Sequence, residues 1–401
     1  MQFLLKSIIH ISIFLLAILP YSVIAQSSND SLGTDLTDIV KKALNYPKER
    51  KKDSASNKDE THISVFPAVG YTLQSGLAGI LSSNVVFKLD KDSNTKQSFF
   101  LTNITYTQYK QFIVPLVGYL WTKNNTYNLS TDWRYMKYPQ YTYGLGGNSS
   151  LSDGYHIDYS LIRFYQTAFR KIAQGFYAGI GYNFDHYWNI RELDIAANTP
   201  TDFKSYGFSN TVTAAGVTMN LLYDSRNSPI NANKGSYAKL VYIDYLPSLG
   251  SDTRWQSMAL DLRHYFNFPY DSHNVLALWA YAWSATYGSA PYVMLPSTGW
   301  DPFNNTGRGY IQGRYRGNTL LYTEAEYRFG ITRNKLVGGV VYGNIQSVSE
   351  PNTNKFLYVA PAVGVGLRLK LNKYSKTNIA IDYAFGADGS NGLWVNLGEV
   401  F

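Results

Sequence analysis

The sequence predicts an all-β fold, a transmembrane antiparallel β-barrel of about 16 strands. Three observations predict it. From residue 62 onward, apolar and polar residues alternate with period 2 over runs of about 9–15 residues, long enough for a tilted strand to cross a bilayer. The connections between these runs alternate between long and short, as they do at the two ends of a membrane barrel. Aromatic residues make up 16% of the chain, with 35 Tyr against 20 Phe and 8 Trp. Tyr and Trp collect at membrane–water interfaces, where an apolar ring and a polar tip are both satisfied. A mean hydropathy of −0.22 suits a barrel as well as a soluble protein, because half of each strand faces a polar lumen. The alternative is a secreted array of β-sandwiches; strand length and an alternating last strand that ends on Phe401 argue against it.

Residues 1–25 read as a secretory signal peptide. Lys6 supplies a short positive start, Ile8 to Leu19 an apolar run, and Val23-Ile24-Ala25 a small-residue cleavage site before Gln26. The run falls short of the ~20 residues of a membrane-spanning helix, and nothing after Ala25 reaches that length. The chain has no Cys, which excludes disulfides, thiolate metal sites, Cys nucleophiles and a lipid-modified cysteine anchor.

Residues 26–61 read as a periplasmic linker, polar and rich in Ser, Asn, Asp and Lys. Much of the net charge of +8 gathers here, at Lys41, Lys42, Lys48, Arg50, Lys51, Lys52 and Lys58. Nucleic-acid binding is the sharper reading of such a run. A solvated linker beside anionic lipid headgroups is the simpler one, and we expect no nucleic-acid partner. Leu36, Ile39, Val40, Ala43 and Leu44 fall at i, i+3, i+4, i+7, i+8 and predict a short amphipathic helix over 35–45. Asp35 and Asp38 near its start and Lys41 and Lys42 near its end suit the helix dipole. Such a helix lies on the inner leaflet, plugs the barrel, or forms only transiently within a tail.

The barrel is predicted over 62–401. Strands are expected at 62–74, 77–90, 97–109, 111–121, 125–137, 155–170, 173–188, 209–224, 235–246, 253–268, 273–287, 318–331, 335–348, 357–371, 377–386 and 391–401. In 362–371, Val363, Val365, Leu367, Leu369 and Leu371 alternate with Gly364, Gly366, Arg368 and Lys370. In 211–223, Ala215, Val217, Met219, Leu221 and Tyr223 alternate with Gly216, Thr218 and Asn220. Lipid outside and water inside satisfies both faces without a second sheet. The long connections, 138–154, 189–208 and 288–317, follow odd-numbered strands. Those after even-numbered strands are mostly tight turns, with 225–234 the exception. Both termini are then periplasmic, and the last strand presents Leu393, Val395, Leu397 and Phe401 on one face.

The same parity points Tyr322, Glu324, Glu326 and Arg328 into the lumen, with Asp261, Arg263, Arg368 and Asp382. Charges out of bulk water must be paired or hydrated, so a luminal ionic network is expected in any such barrel. Loop 288–317 is long enough to fold back inside and bring Arg308 to a carboxylate, with Gly307 and Gly309 allowing a tight reversal.

Arg308, Gly309, Tyr310 and the downstream Glu326 resemble the Arg-Gly-aromatic loop tip and partner Glu of the BamA/TamA superfamily of outer-membrane barrels, and the loop follows the eleventh strand, as in that family. The stretch Tyr223-Asp224-Ser225-Arg226-Asn227 through Gly235 is similar to another recurrent family segment. The resemblance covers 62–401 loosely and 307–329 best. It implies an outer-membrane protein of a Gram-negative bacterium that inserts or translocates protein, or lipid. It further implies contact with outer-membrane lipids, with unfolded outer-membrane proteins as substrates, and with the barrel assembly machinery for the chain's own insertion, Phe401 serving as the assembly tag. Two departures stand out. Where the family has Phe-x-Asp-x-Gly on the next strand, this chain has Gly339-Val340-Val341-Tyr342-Gly343, which leaves Val341 at the Asp position and Asp382 as one candidate substitute. Residues 26–61 are too few for even one of the family's periplasmic POTRA domains.

Pro67 interrupts the first strand and donates no ladder hydrogen bond. Either it weakens a seam between the first and last strands that opens sideways, or it sits harmlessly at a bulge. No cofactor, metal or covalent chemistry is expected, and the chain is not read as an enzyme. Two other functions compete: a passive solute pore with loop 288–317 as its constriction, and a rim hydrolase using Asp185, His186 and His156.

Overall fold

The period-2 alternation folds into a closed antiparallel barrel of sixteen strands. The computed structural model describes residues 33–43, 61–90, 95–196, 198–373 and 376–401. The residues read as a signal peptide and most of those read as a linker lie outside the described residues. The strands are β1 His62–Thr72, β2 Gly76–Phe87, β3 Ser98–Thr107, β4 Phe112–Trp121, β5 Tyr127–Lys137, β6 Tyr155–Ala173, β7 Phe176–Leu193 and β8 Val212–Asp224. They continue as β9 Gly235–Tyr245, β10 Trp255–Asn267, β11 Val275–Gly288, β12 Thr319–Gly330, β13 Val337–Val348, β14 Ala360–Asn372, β15 Thr377–Gly386 and β16 Asn391–Leu397. A short piece, Gln140–Thr142, pairs with β6 beyond the end of β5, so it continues that strand past Pro139.

The two faces are as the alternation requires. On β14, Val363, Val365 and Leu367 are exposed and Arg368 is buried; on β12, Leu321 is exposed between buried Leu320 and Tyr322. Ala215 departs from the pattern: expected outward beside Val217, it is buried, and its carbonyl accepts from Leu246 N at 2.9 Å. β6 and β7 run further than expected, and β7 reaches Leu193, well into the predicted loop. At 19 and 18 residues, this hairpin exceeds the roughly 9–11 that a bilayer requires, so it projects beyond the loop end of the barrel.

The last strand is shorter than expected. β16 stops at Leu397; Gly398 takes φ +95°, and the chain turns into the barrel. Phe401, expected on the outward face, is buried 5.1 Å from the ring of Trp279. Turn 225–234 also folds inward. It is long because it carries Ala232 to the same place, where the Ala232 carbonyl accepts from Arg328 Nη1 at 3.3 Å.

The helix predicted over 35–45 is α1, Leu36–Ala43; residues 44 and 45 lie outside the described residues. Asp35 and Asp38 cap it reciprocally, Asp38 N donating to Asp35 Oδ1 at 2.9 Å and Asp35 N to Asp38 Oδ2 at 3.1 Å. Thr34 N donates to Asn334 O at 2.9 Å, and Lys373 N to Asp35 Oδ2 at 2.8 Å. The start of α1 is therefore fastened to the turns after β12 and β14.

β1 and β16 barely meet. Tyr71↔Val395 is the one register pair between them, whereas β15 and β16 pair from Ile379↔Leu397 to Phe385↔Asn391. Continuing the register from Tyr71, Pro67 falls opposite Glu399, past the end of β16. Pro67 pairs with Leu81 of β2. The register sets residues 69–72 opposite 397–394, but Tyr71↔Val395 is the pair that forms there, and Pro67 lies outside this overlap.

Candidate functional site

Loop 289–318, between β11 and β12, descends into the lumen, and its interior is held by its own backbone and two buried arginines. Asp301 accepts from Asn305 N at 2.8 Å and Thr306 N at 2.7 Å, closing the reversal. Arg316 Nη1 donates to Tyr292 O at 2.9 Å, and Arg314 Nη2 to Ser149 O at 2.6 Å on a neighbouring loop. These two arginines are fully buried and are not among the residues predicted to face the lumen. The available signal was a loop carrying Arg308, Arg314 and Arg316 within a few residues of one another.

The tip rests on the inner wall. Gly307 and Gly309 have φ of +79° and +108°, a region costly for any residue with a Cβ. A Cβ on Gly309 would also stand 2.8 Å from Ala362 Cβ. Tyr310 lies across β14 and the end of β15: its hydroxyl donates to Pro361 O at 2.5 Å and accepts from Ala387 N at 2.8 Å.

Arg308 reaches three carboxylates. Its Nη2 donates to Glu324 Oε1 and, at 2.6 Å, to Glu326 Oε2; its Nε donates to Glu324 Oε2 at 3.2 Å, and its Nη1 to Asp382 Oδ2 at 3.3 Å. The guanidinium carbon lies 3.5 Å from the centre of the Tyr342 ring, where the negative face of the ring adds attraction. Asn344 Nδ2 donates to the Arg308 carbonyl at 2.9 Å, fixing the tip's backbone as well. Tyr322 donates its hydroxyl to Glu324.

The clamp extends through two more arginines. Arg368 donates to Asp382 Oδ1 at 2.6 Å and to Glu399 Oε2 at 2.6 Å. Arg328 donates to Glu326 Oε1 at 2.6 Å and to Phe401 O at 2.8 Å. Three guanidinium groups thus face four carboxylates, all nearly inaccessible to solvent. Such a group of charges is held by mutual compensation, and removing one member exposes the desolvation cost of the rest. Asn305 Nδ2 donates to Val400 O at 2.5 Å, so the loop from one end of the barrel meets the chain's final residues from the other.

The structure therefore brings Arg308, Glu324, Glu326, Arg328, Arg368 and Asp382 together, with Gly309, Tyr310 and Phe401 at the edges of the cluster. Pro67 is not part of it. Val341 is corrected as the position facing the arginine: it points outward, exposed, and Tyr342 occupies the inward place. The acids beyond Glu326 are Glu324 and Asp382. Glu399 and Tyr342 join the cluster as well: Glu399 lies past the end of the strand, beyond the reach of the alternation, whereas Tyr342 sits at an inward position of β13.

Asp185, His186 and His156 are not assembled. Asp185 faces inward and binds Arg163 at 2.8 Å, while His186, next along the strand, meets Thr213 Oγ1 at 3.0 Å and stacks on Trp188. His156 pairs with Asp194 at 2.9 Å. It stands six positions along β6 from Ile162, the partner of His186, about 20 Å at ~3.3 Å per residue.

In fold, the chain is similar to BamA from Haemophilus ducreyi lacking POTRA domains 1–3, with a TM-score of 0.58 and 15% identity over 84% of this chain and 70% of that one. It is similar to CdiB from Acinetobacter baumannii, with a TM-score of 0.52 and 12% identity over 85% and 66%. CdiB from Escherichia coli gives a TM-score of 0.54 and 10% identity over 85% and 67%. The sequence matches no family model and no curated protein. The chain spans about two thirds of the length of these structures, and the likeness is one of fold: a BamA-like sixteen-strand barrel.

Proposed function

We propose that this barrel works in the outer membrane of a Gram-negative bacterium as an insertase or translocator of polypeptide, opening to the membrane between β1 and β16. The observation that carries the reading is the seam itself, a closure that rests on Tyr71↔Val395. Separating two strands costs the ladder bonds and side-chain pairs between them, each contributing roughly 0.2–1 kcal/mol. A single pair makes this the easiest place for the barrel to part. The fold shared with BamA and CdiB supports the same reading. Loop 289–318 keeps the β12–β15 wall rigid through Arg308 while the seam moves. The action is mechanical and uses no cofactor and no covalent chemistry.

Insertion of urea-unfolded outer-membrane proteins into liposomes, with and without embedded protein, tests this. Faster substrate folding in its presence is expected. No acceleration over several substrates would overturn the proposal and leave the passive solute pore as the better reading.

A further inference from the structure

The lumen is divided. The ionic clamp and the chain's final residues occupy the side beneath β12 to β16. The other side holds a cavity of about 410 Å³, walled by β3 to β11 and roofed by loop 289–318. Its wall is mixed: Ser130, Thr131, Thr167, Asn183, Thr218 and Asn220 give it a polar part beside an aliphatic one. Leu101, Val117, Val241 and Ile243 line it, and Val293 and Met294 cover it from the loop. Aliphatic surface left in water forgoes roughly 25 cal/mol per Å².

The charges in this wall compensate one another, with one exception. Asp132 is paired with Arg134 at 2.6 Å, Asp185 with Arg163 at 2.8 Å and Asp261 with Arg263 at 2.7 Å. Lys239 remains. It stands across from Asp261 in the β9–β10 ladder, but both Asp261 oxygens are engaged by Arg263, and Trp279 Nε1 adds a third bond at 2.9 Å. Among the described residues Lys239 has no hydrogen bond or ion pair; its Nζ lies 5.9 Å from the Phe169 ring centre. From Lys239 the inward positions of β9 continue as Val241, Ile243 and Tyr245. Tyr245 stacks at 4.1 Å on Trp255, whose Nε1 is buried without a partner.

We infer that this cavity binds a single-chain anionic amphiphile whose head group pairs with Lys239 and whose chain lies along Val241 and Ile243. A wholly polar solute would leave the aliphatic part of the wall, Leu101, Val117, Val241, Ile243, Val293 and Met294, uncovered. A neutral hydrocarbon would leave Lys239 without a counter-charge. The volume falls within the ~300–1,000 Å³ usual for small-molecule sites. The shared chemistry is one acyl chain carrying one negative charge. A free long-chain carboxylate and an anionic lysophospholipid from the membrane both provide it.

The test uses folded protein in phosphatidylcholine nanodiscs, reading the radiolabelled ligand retained beyond that held by empty discs. The ligands are palmitate, methyl palmitate and lysophosphatidylglycerol. Saturable binding of palmitate or lysophosphatidylglycerol is expected, with whichever binds naming the source. Methyl palmitate should bind at least tenfold more weakly than the anionic ligand. Lys239→Gln should weaken the anionic ligand at least tenfold and leave methyl palmitate unchanged. Absence of saturable binding by both anionic ligands overturns the inference. Equal binding of methyl palmitate and the anionic ligand by the unaltered protein also overturns it, and that comparison needs no variant to fold.

Discussion

Gly366 leaves Asp382 its place: a Cβ on Gly366 would lie 1.8 Å from Asp382 Oδ1. The two residues are partners across β14 and β15. Asp382 is the acid that links Arg308 of the loop to Arg368 of the wall. Gly364, two residues earlier, does the same for Tyr342, whose ring would lie 2.3 Å from an added Cβ. Two glycines on the inward face of one strand therefore make room for the residues that hold Arg308. Gly366→Ala should displace the Asp382 carboxylate and destabilise the barrel by about 1–3 kcal/mol, as overpacking does. Gly343→Ala is the control, since its Cβ would meet nothing closer than 3.8 Å. Heat-induced loss of the compact electrophoretic form reads both; an unchanged transition in Gly366→Ala would sink the argument.

Arg308→Ala leaves Glu324, Glu326 and Asp382 facing one another with Arg328 and Arg368 as the remaining cations. Breaking a buried ionic group on one side costs about 3–5 kcal/mol. The loop should detach from the wall, and protease should cleave within 289–318 in proteoliposomes where the unaltered protein resists. Arg308→Lys should restore little, because an ammonium lacks the planar fork that spans Glu324 and Glu326. Equal protease resistance in all three proteins would contradict the bracing role.

Closure of the seam can be tested without competing thiols, since the chain has no Cys. Tyr71→Cys with Val395→Cys places two thiols at paired positions, where Cα separations of about 4.5–5.5 Å suit a disulfide. Oxidation should abolish acceleration of substrate folding, and reduction should restore it. Conductance in planar bilayers should be the same in both states. Full activity in the oxidised protein would rule out the seam as the exit.

Glu399 and Phe401 tie the chain's last residues to the clamp. Glu399→Gln removes the charge that Arg368 Nε holds at 2.6 Å, an interaction of roughly 1.5–3 kcal/mol. Amide hydrogen exchange at 398–401 should quicken while exchange in β12 and β13 stays slow. Exchange that remains slow throughout would show that packing of Phe401 against Tyr265 and Trp279 holds these residues unaided.

The alternation of residue types determined the barrel, the approximate strand number and the inward face of the charges carried on strands, because lipid on one side and polar lumen on the other set the face of a period-2 chain. Parity alone placed Glu324, Glu326, Arg328, Arg368 and Asp382 inside. Three things required the tertiary structure. Strand pairing across the closure depends on stagger, so the sequence offered Pro67 as the weak point while the structure puts it past the end of β16. Residues 398–401 continue the pattern of a strand by one aromatic, yet the chain leaves β1 after Leu397 and Phe401 turns inward, where its carbonyl accepts from Arg328 and its ring meets Trp279. The partners of Arg308 come from β12 and β15, separated by 74 residues in the case of Asp382. Local pattern fixes the face a side chain takes; only closure of the barrel decides which inward charges share one space.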